Sequence, residues 1–166
     1  MRVAPRAPVT VAAASAALAR AQAAWIAGMD PWRGLGYGAD SLGAFLARAA
    51  ATGQVRVARA SGVRGRVDGI LVLQPAVLLG SFVALLAVRA ACAGQGIGRA
   101  LIEHAVTETF ATRRWLFVSA DAGNRAALAF YRKLGFSRVG RLPDLVKAGR
   151  VEVLLRKGRD PRGSVK

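Results

Sequence analysis

Residues 86–101 read LAVRAACAGQGIGRAL: an apolar run, three glycines at alternate positions, then the start of an amphipathic pattern. The run has the composition of a buried strand. From Ile97 onward, Leu101, Ile102, Ala105, Val106 and Phe110 recur on one helical stripe. A strand that turns through glycines into a helix leaves the first helical N–H groups without internal acceptors and adds the positive end of the helix dipole. Gly94, Gly96 and Gly98 carry no side chain to block an anion. Gly94, Gln95, Gly96, Ile97, Gly98 and Arg99 therefore form a candidate pyrophosphate cradle, with the Arg99 charge directed at the phosphates. Two familiar alternatives fail on spacing. No Lys follows the glycines as a P-loop requires, and the last glycine of a G-x-G-x-x-G fingerprint would fall on Arg99 or Leu101. On this segment alone, a tight strand-to-helix turn without a ligand remains the plain alternative.

A second segment, residues 124–136, reads NRAALAFYRKLGF. Together the two segments resemble the GCN5-related N-acetyltransferase (GNAT) superfamily, whose acetyl-CoA site joins a glycine-rich turn to a later N-x-x-A-x-x-x-Y-x-x-x-G-F helix. Asn124, Ala127, Tyr131, Gly135 and Phe136 fall on that pattern at every spacing, and the likeness spans roughly residues 55–156. It implies an α/β (α+β) fold: a mixed, mostly antiparallel central sheet of about six to seven strands, helices on both faces, and splayed central strands. It also implies an acetyl-CoA-dependent N-acetyltransferase that moves acetyl to a primary amine by direct attack on the thioester, with no metal. By the same resemblance, the main chain of Leu86, Ala87 and Val88 holds the pantetheine arm and the turn amides hold the diphosphate. Asn124 touches the cofactor besides capping its helix. Tyr131 lines the cofactor site and acts as the general acid that protonates the departing thiolate.

The sequence departs from the family pattern where a base is expected. Ser119 stands five residues before Asn124, where one branch has Glu, and Ala84 stands where other branches have an acid. Ala93 replaces the Arg or Gln that usually adds a phosphate contact. Asp121 and Glu152 are the nearest remaining acids; either can serve as base directly or through water, while the plainer reading of each is a solvated surface carboxylate, and His104 reads as structural or exposed. A site without a strong base suits an amine that is easily deprotonated. Removing a proton from a lysine at pH 7.4 costs about 4 kcal/mol, against under about 1 kcal/mol for an α-amine. A peptide or protein α-amine is thus expected as acceptor ahead of lysine, with a small-molecule amine also open. Two rivals stand beside this reading: an aminoacyl-tRNA-directed transferase and a non-catalytic acyl-CoA-binding module.

Composition bounds the rest. The chain of 166 residues suits one domain, residues 1–158, with a basic tail at 159–166. One Cys, Cys92, and one His, His104, exclude a disulfide framework and a Cys- or His-based metal site. The net charge of +16 comes from 21 Arg and 4 Lys; it attracts polyanions, coenzyme A among them, and disfavours polyamine acceptors. The arginines are scattered, which leaves nucleic acid open as a partner without establishing it. Residues 70–88 carry no charge, yet Gln74-Pro75 and Gly80-Ser81 cut them into strand-length pieces, so two buried strands are expected and no membrane partner. The first 24 residues imitate a signal peptide, but Pro5, Pro8 and Arg20 break the pattern; a cytoplasmic protein, monomeric or homodimeric, is expected.

Along the chain, residues 3–5 read as a short strand, 9–27 as an Ala-rich helix, and 29–38 as a glycine-rich loop. In that loop Trp32 and Tyr37 anchor a helix connection or face the acceptor. Residues 41–51 read as a helix, and 55–60 and 67–73 as a hairpin about a turn at 61–66. Strand 82–88, helix 97–112, strand 115–120, helix 125–134 and strand 151–156 complete the pattern.

Overall fold

The computed structural model describes residues 8–60 and 65–159. In chain order the elements are β1 (Val9–Ala13), α1 (Ala16–Arg20), α2 (Ala23–Ala27), α3 (Trp32–Leu35), α4 (Ala39–Ala51), β2 (Val55–Ala60), β3 (Gly69–Val77), β4 (Gly80–Val88), α5 (Ile97–Thr112), β5 (Trp115–Asp121), α6 (Arg125–Lys133), β6 (Ser137–Pro143) and β7 (Val151–Gly158). The strands form one mostly antiparallel sheet in the order β1-β2-β3-β4-β5-β7-β6. The chain divides into two compact units. One holds the described residues up to Leu73 together with Leu85–His104, and the other holds Gln74–Ala84 together with the described residues from Ala105 onward.

In the first unit β2 lies between two antiparallel neighbours, in register Val9↔Ala60 to Ala13↔Arg56 with β1 and Val55↔Val72 to Ala58↔Gly69 with β3. Residues 9–13 correct the expectation of a single helix over 9–27. The β-branched Val9, Thr10 and Val11 pair with β2, and the helical part is two short pieces, the first capped by Ser15 accepting from the Leu18 amide at 3.2 Å. An alanine run gives a weak local preference, and a waiting strand edge overrides it. Short α3 interrupts the expected loop over 29–38. The core gathers Ile26, Leu46, Val55, Val57, Ile70, Leu71, Val72, Ile97, Leu101 and Ile102, all essentially covered. One close approach positions α5: a Cβ added to Gly69 on β3 would lie 2.5 Å from Ile97 Cγ2. Glycine is what lets the start of the helix sit on this strand.

In the second unit β5 runs parallel to β4, Gly80↔Trp115 to Val83↔Val118, and antiparallel to β7, Trp115↔Gly158 to Asp121↔Glu152. The β4–β5 ladder ends at Val83↔Val118, although β4 continues to Val88 and β5 to Asp121. β6 adds an edge strand, with a register shift between Arg138 and Gly140. Sequence reading missed it, because Ser137–Pro143 is polar, holds a glycine and ends in proline, all of which an exposed edge tolerates. The apolar 70–88 run is a hairpin turning at the left-handed Leu78 and Leu79, and no helix among the described residues is long and apolar enough to cross a membrane. The expected strand over 3–5, the turn residues 61–64 and most of the basic tail lie outside the described residues.

Candidate active site

The first unit carries the glycine turn. After β4 the chain makes one 3₁₀ turn over Ala90–Cys92 and passes through Gly94 (φ 75°) and Gly96 (φ 87°) into α5. These left-handed angles explain the glycines locally. The Cys92 amide donates to the Arg89 carbonyl at 2.8 Å, that of Ala93 to Ala90 at 3.1 Å, and that of Gln95 to Cys92 at 3.4 Å. Of the expected cradle donors, Gln95 is therefore turned into the fold. Ala100 makes the first helical bond, onto the Gly96 carbonyl at 2.9 Å. Among the described residues no acceptor closes on the amides of Gly96, Ile97, Gly98 or Arg99. A Cβ at Gly94 would meet nothing within 4 Å, so the turn is open on that side. Four unpartnered N–H groups on the first turn of a sixteen-residue helix fit a diphosphate. The Arg99 guanidinium does not reinforce them here: it reaches along the helix to Glu103 at 2.7 Å, an exposed pair worth little and easily exchanged. On β4, Ala87 faces the core while Leu86 and Val88 are half-buried.

Sequence reading missed what steadies this turn. Asp68, just before β3, is 0% exposed, and its carboxylate accepts from the Ala60 amide at 2.9 Å, from Arg66 at 2.5 Å and from the Cys92 thiol at 3.5 Å. Burial pushes the Asp68 carboxyl up, but these donors outweigh it and hold the group below the usual range. Burial and the neighbouring carboxylate push the Cys92 thiol up, so it stays protonated as a donor. Arg89 ties the same region together: its amide donates to the Asp68 carbonyl at 2.9 Å, its Nε to the Val67 carbonyl at 2.7 Å, and its guanidinium lies 4.6 Å from the Trp25 ring. A lone acid in the apolar stretch Val67–Leu71 was the available signal.

The second unit carries the other candidates. Asn124 caps α6, its side chain accepting from the Ala127 amide at 3.1 Å. At the other end Gly135 (φ 85°) closes the helix, with the Phe136 amide returning to the Tyr131 carbonyl at 3.1 Å. Tyr131 is 6% exposed and packs edge-on against Phe130 and Phe136, with ring centroids at 5.2 and 5.6 Å. Its hydroxyl has no hydrogen-bond partner among the described residues. Burial pushes the phenol well above its usual value, which keeps the proton on it.

Glu152 is not the surface carboxylate the sequence suggested; it is 8% exposed. It accepts a hydrogen bond from Ser119 on the neighbouring strand and sits directly opposite Asp121. Burial pushes Glu152 above the usual carboxylate value, partly opposed by the Ser119 hydrogen bond. Asp121 is committed elsewhere, accepting from the Gly123 amide at 2.7 Å and pairing with Arg150 at 3.3 Å. Ala84 and His104 are half-buried, and Tyr37 is exposed rather than an anchor. Among the described residues no group of His, Cys, Asp and Glu could hold a metal ion.

A glycine turn opening a helix with unpaired amides suits the diphosphate of a nucleotide-type carrier. The profile of the acetyltransferase (GNAT) domain matches residues 51–138, over half of the chain. The protein belongs to the GNAT family of acetyltransferases. Solved structures repeat the fold. A GNAT-family acetyltransferase from Bacillus cereus ATCC 10987 matches at TM-score 0.74 and 15% identity, covering 92% of this chain and 99% of its own. A ribosomal-protein-alanine N-acetyltransferase from Brucella melitensis matches at 0.71 and 21%, covering 90% and 99%. A putative streptothricin acetyltransferase from Bacillus anthracis str. Ames, solved with acetyl coenzyme A, matches at 0.57 and 19%, covering 64% and 62%. A comparison with curated protein sequences returns no match.

Proposed function

We propose that this enzyme acetylates a weakly basic primary amine, a peptide or protein α-amine ahead of a lysine side chain. Acetyl-CoA supplies the activated thioester. The amides of Gly96, Ile97, Gly98 and Arg99 hold its diphosphate, the main chain of Leu86, Ala87 and Val88 its pantetheine arm, and Asn124 adds a polar contact. Tyr131 keeps its proton on Oη until the leaving sulfur takes it. The carrying observation is Ser119: where a carboxylate base would stand, a hydroxyl donates to a buried Glu152 whose other neighbour, Asp121, is paired with Arg150. A hydroxyl at that place does not itself strip a lysine ammonium, a step costing about 4 kcal/mol at neutral pH. The Brucella structure, named for ribosomal-protein alanine, supports an α-amine acceptor.

Two peptides separate the readings: one with a free α-amine and no lysine, one N-acetylated with a single lysine. Each is incubated with acetyl-CoA while free thiol is followed. Turnover at least tenfold faster on the first is expected, and faster turnover on the lysine peptide overturns the assignment.

A further inference from the structure

A charged group buried in a sheet is poorly explained by stability, because an apolar residue of similar volume serves a core as well or better. Asp68 is such a group, and its partners share one feature. Its carboxylate takes the Cys92 thiol and its carbonyl takes the Arg89 amide, so both chain positions that lead into the glycine turn are held by one residue. Arg66 closes the arrangement, donating to Asp68 through Nε and reaching Cys92 Sγ at 3.5 Å through Nη2. The Cys92 carbonyl in turn accepts the Gln95 amide, the last internal bond before the unpartnered donors begin. The path from Asp68 to the first free amide is Asp68, Cys92, Gln95, Gly96. Cys92 is 2% exposed and wedged by these contacts, so the turn has little freedom while they hold.

We propose that Asp68 and Cys92 are positioning residues whose thiol–carboxylate hydrogen bond fixes the glycine turn in the conformation that presents the Gly96–Arg99 amides to a diphosphate. The proposal rests on the cradle assignment above. It predicts that the pair acts on the diphosphate and not on the rest of the carrier. Cys92→Ala deletes the donor, while Cys92→Ser restores one in nearly the same place. Calorimetry with coenzyme A and with pantetheine, which lacks the diphosphate, reads the difference. In Cys92→Ala coenzyme A binds at least tenfold more weakly, in Cys92→Ser within threefold of the wild type, and in both pantetheine is held as before. Equal weakening of both ligands, or unchanged coenzyme A binding in Cys92→Ala, overturns the proposal. Should Cys92→Ala fail to fold, Arg66→Met removes a partner of both residues from the half-exposed side and takes its place, with the same expected split. Amide hydrogen exchange keeps the two assignments apart. If wild-type protein does not bind coenzyme A, the cradle assignment fails; the pair still stands or falls on whether exchange at Gly96–Arg99 accelerates in Cys92→Ala and recovers in Cys92→Ser.

Discussion

Gly69→Ala tests whether the cradle is held by its packing against β3. The new Cβ would lie 2.5 Å from Ile97 Cγ2, 3.0 Å from Leu101 Cδ1 and 3.4 Å from the Ala87 carbonyl oxygen. Carbon pairs rest at about 3.5–4.0 Å, so Ile97 must retreat by about 1 Å or more. There is nowhere for it to go, since Ile97 and Leu101 are both fully covered. Overpacking of this kind costs about 1–3 kcal/mol. In a domain of this size that lowers Tm by about 2–12 °C, at roughly 2–4 °C per kcal/mol. Ile97 is the first residue of α5, so the retreat also carries the Gly96–Arg99 amides, and coenzyme A affinity is expected to fall about tenfold, or about 1.4 kcal/mol. Ile97→Ala alone costs about 2–5 kcal/mol as a cavity. In the double variant the clash is gone, so the two costs are sub-additive by about 0.5–3 kcal/mol. Melting followed by circular dichroism, with calorimetry for coenzyme A, decides it. A Gly69→Ala protein that melts within about 1 °C of wild type, or strictly additive costs in the double variant, refutes the reasoning.

Further outcomes follow from the second unit. Tyr131→Phe removes an unpartnered hydroxyl, so acetyl transfer measured as thiol release falls about 10²–10⁴-fold while the melting temperature holds or rises. Because folding favours the protonated phenol, its contribution to stability is complete below about pH 10 and fades as pH rises, which thermal melts across pH will show. Asn124→Ala loses the cap of α6 and costs about 1 kcal/mol in denaturant titration. Glu152→Gln keeps an acceptor for Ser119 without the buried charge. The raised folded value makes native Glu152 favourable in acid, below its unfolded pKa of about 4.3, and less so as pH rises through the folded value. The Gln variant is therefore expected to melt no lower than wild type at pH 7 and to lose that acid-side gain; a clear loss of stability at pH 7 contradicts it.

The local structure around the candidate site was legible in the residue order because its signals are local. The strand–glycine–helix segment at 86–101 and the Asn124–Phe136 helix announce themselves through spacing, and α5 and β2 fall where periodicity put them. Glycine at positive φ, a side chain capping three residues on, and a 3.6-residue stripe are properties of neighbours along the chain. Three features were hard to read there, each for a reason of partnership. Val9–Ala13 is a strand because the edge of β2 was available to it. Ser137–Pro143 is a strand only because β7 pairs with it, since its own sequence is polar and broken. Asp68 and Glu152 changed character most: as letters they are charges expected in water, and in the fold each is buried by strands remote in sequence. Residue order alone was enough for the family and for the glycine turn into α5, because backbone geometry there depends on adjacent residues. Which amides stay unpaired, which carboxylates leave solvent and what holds the turn still came from the fold, because hydrogen bonding and burial depend on what long-range folding brings alongside.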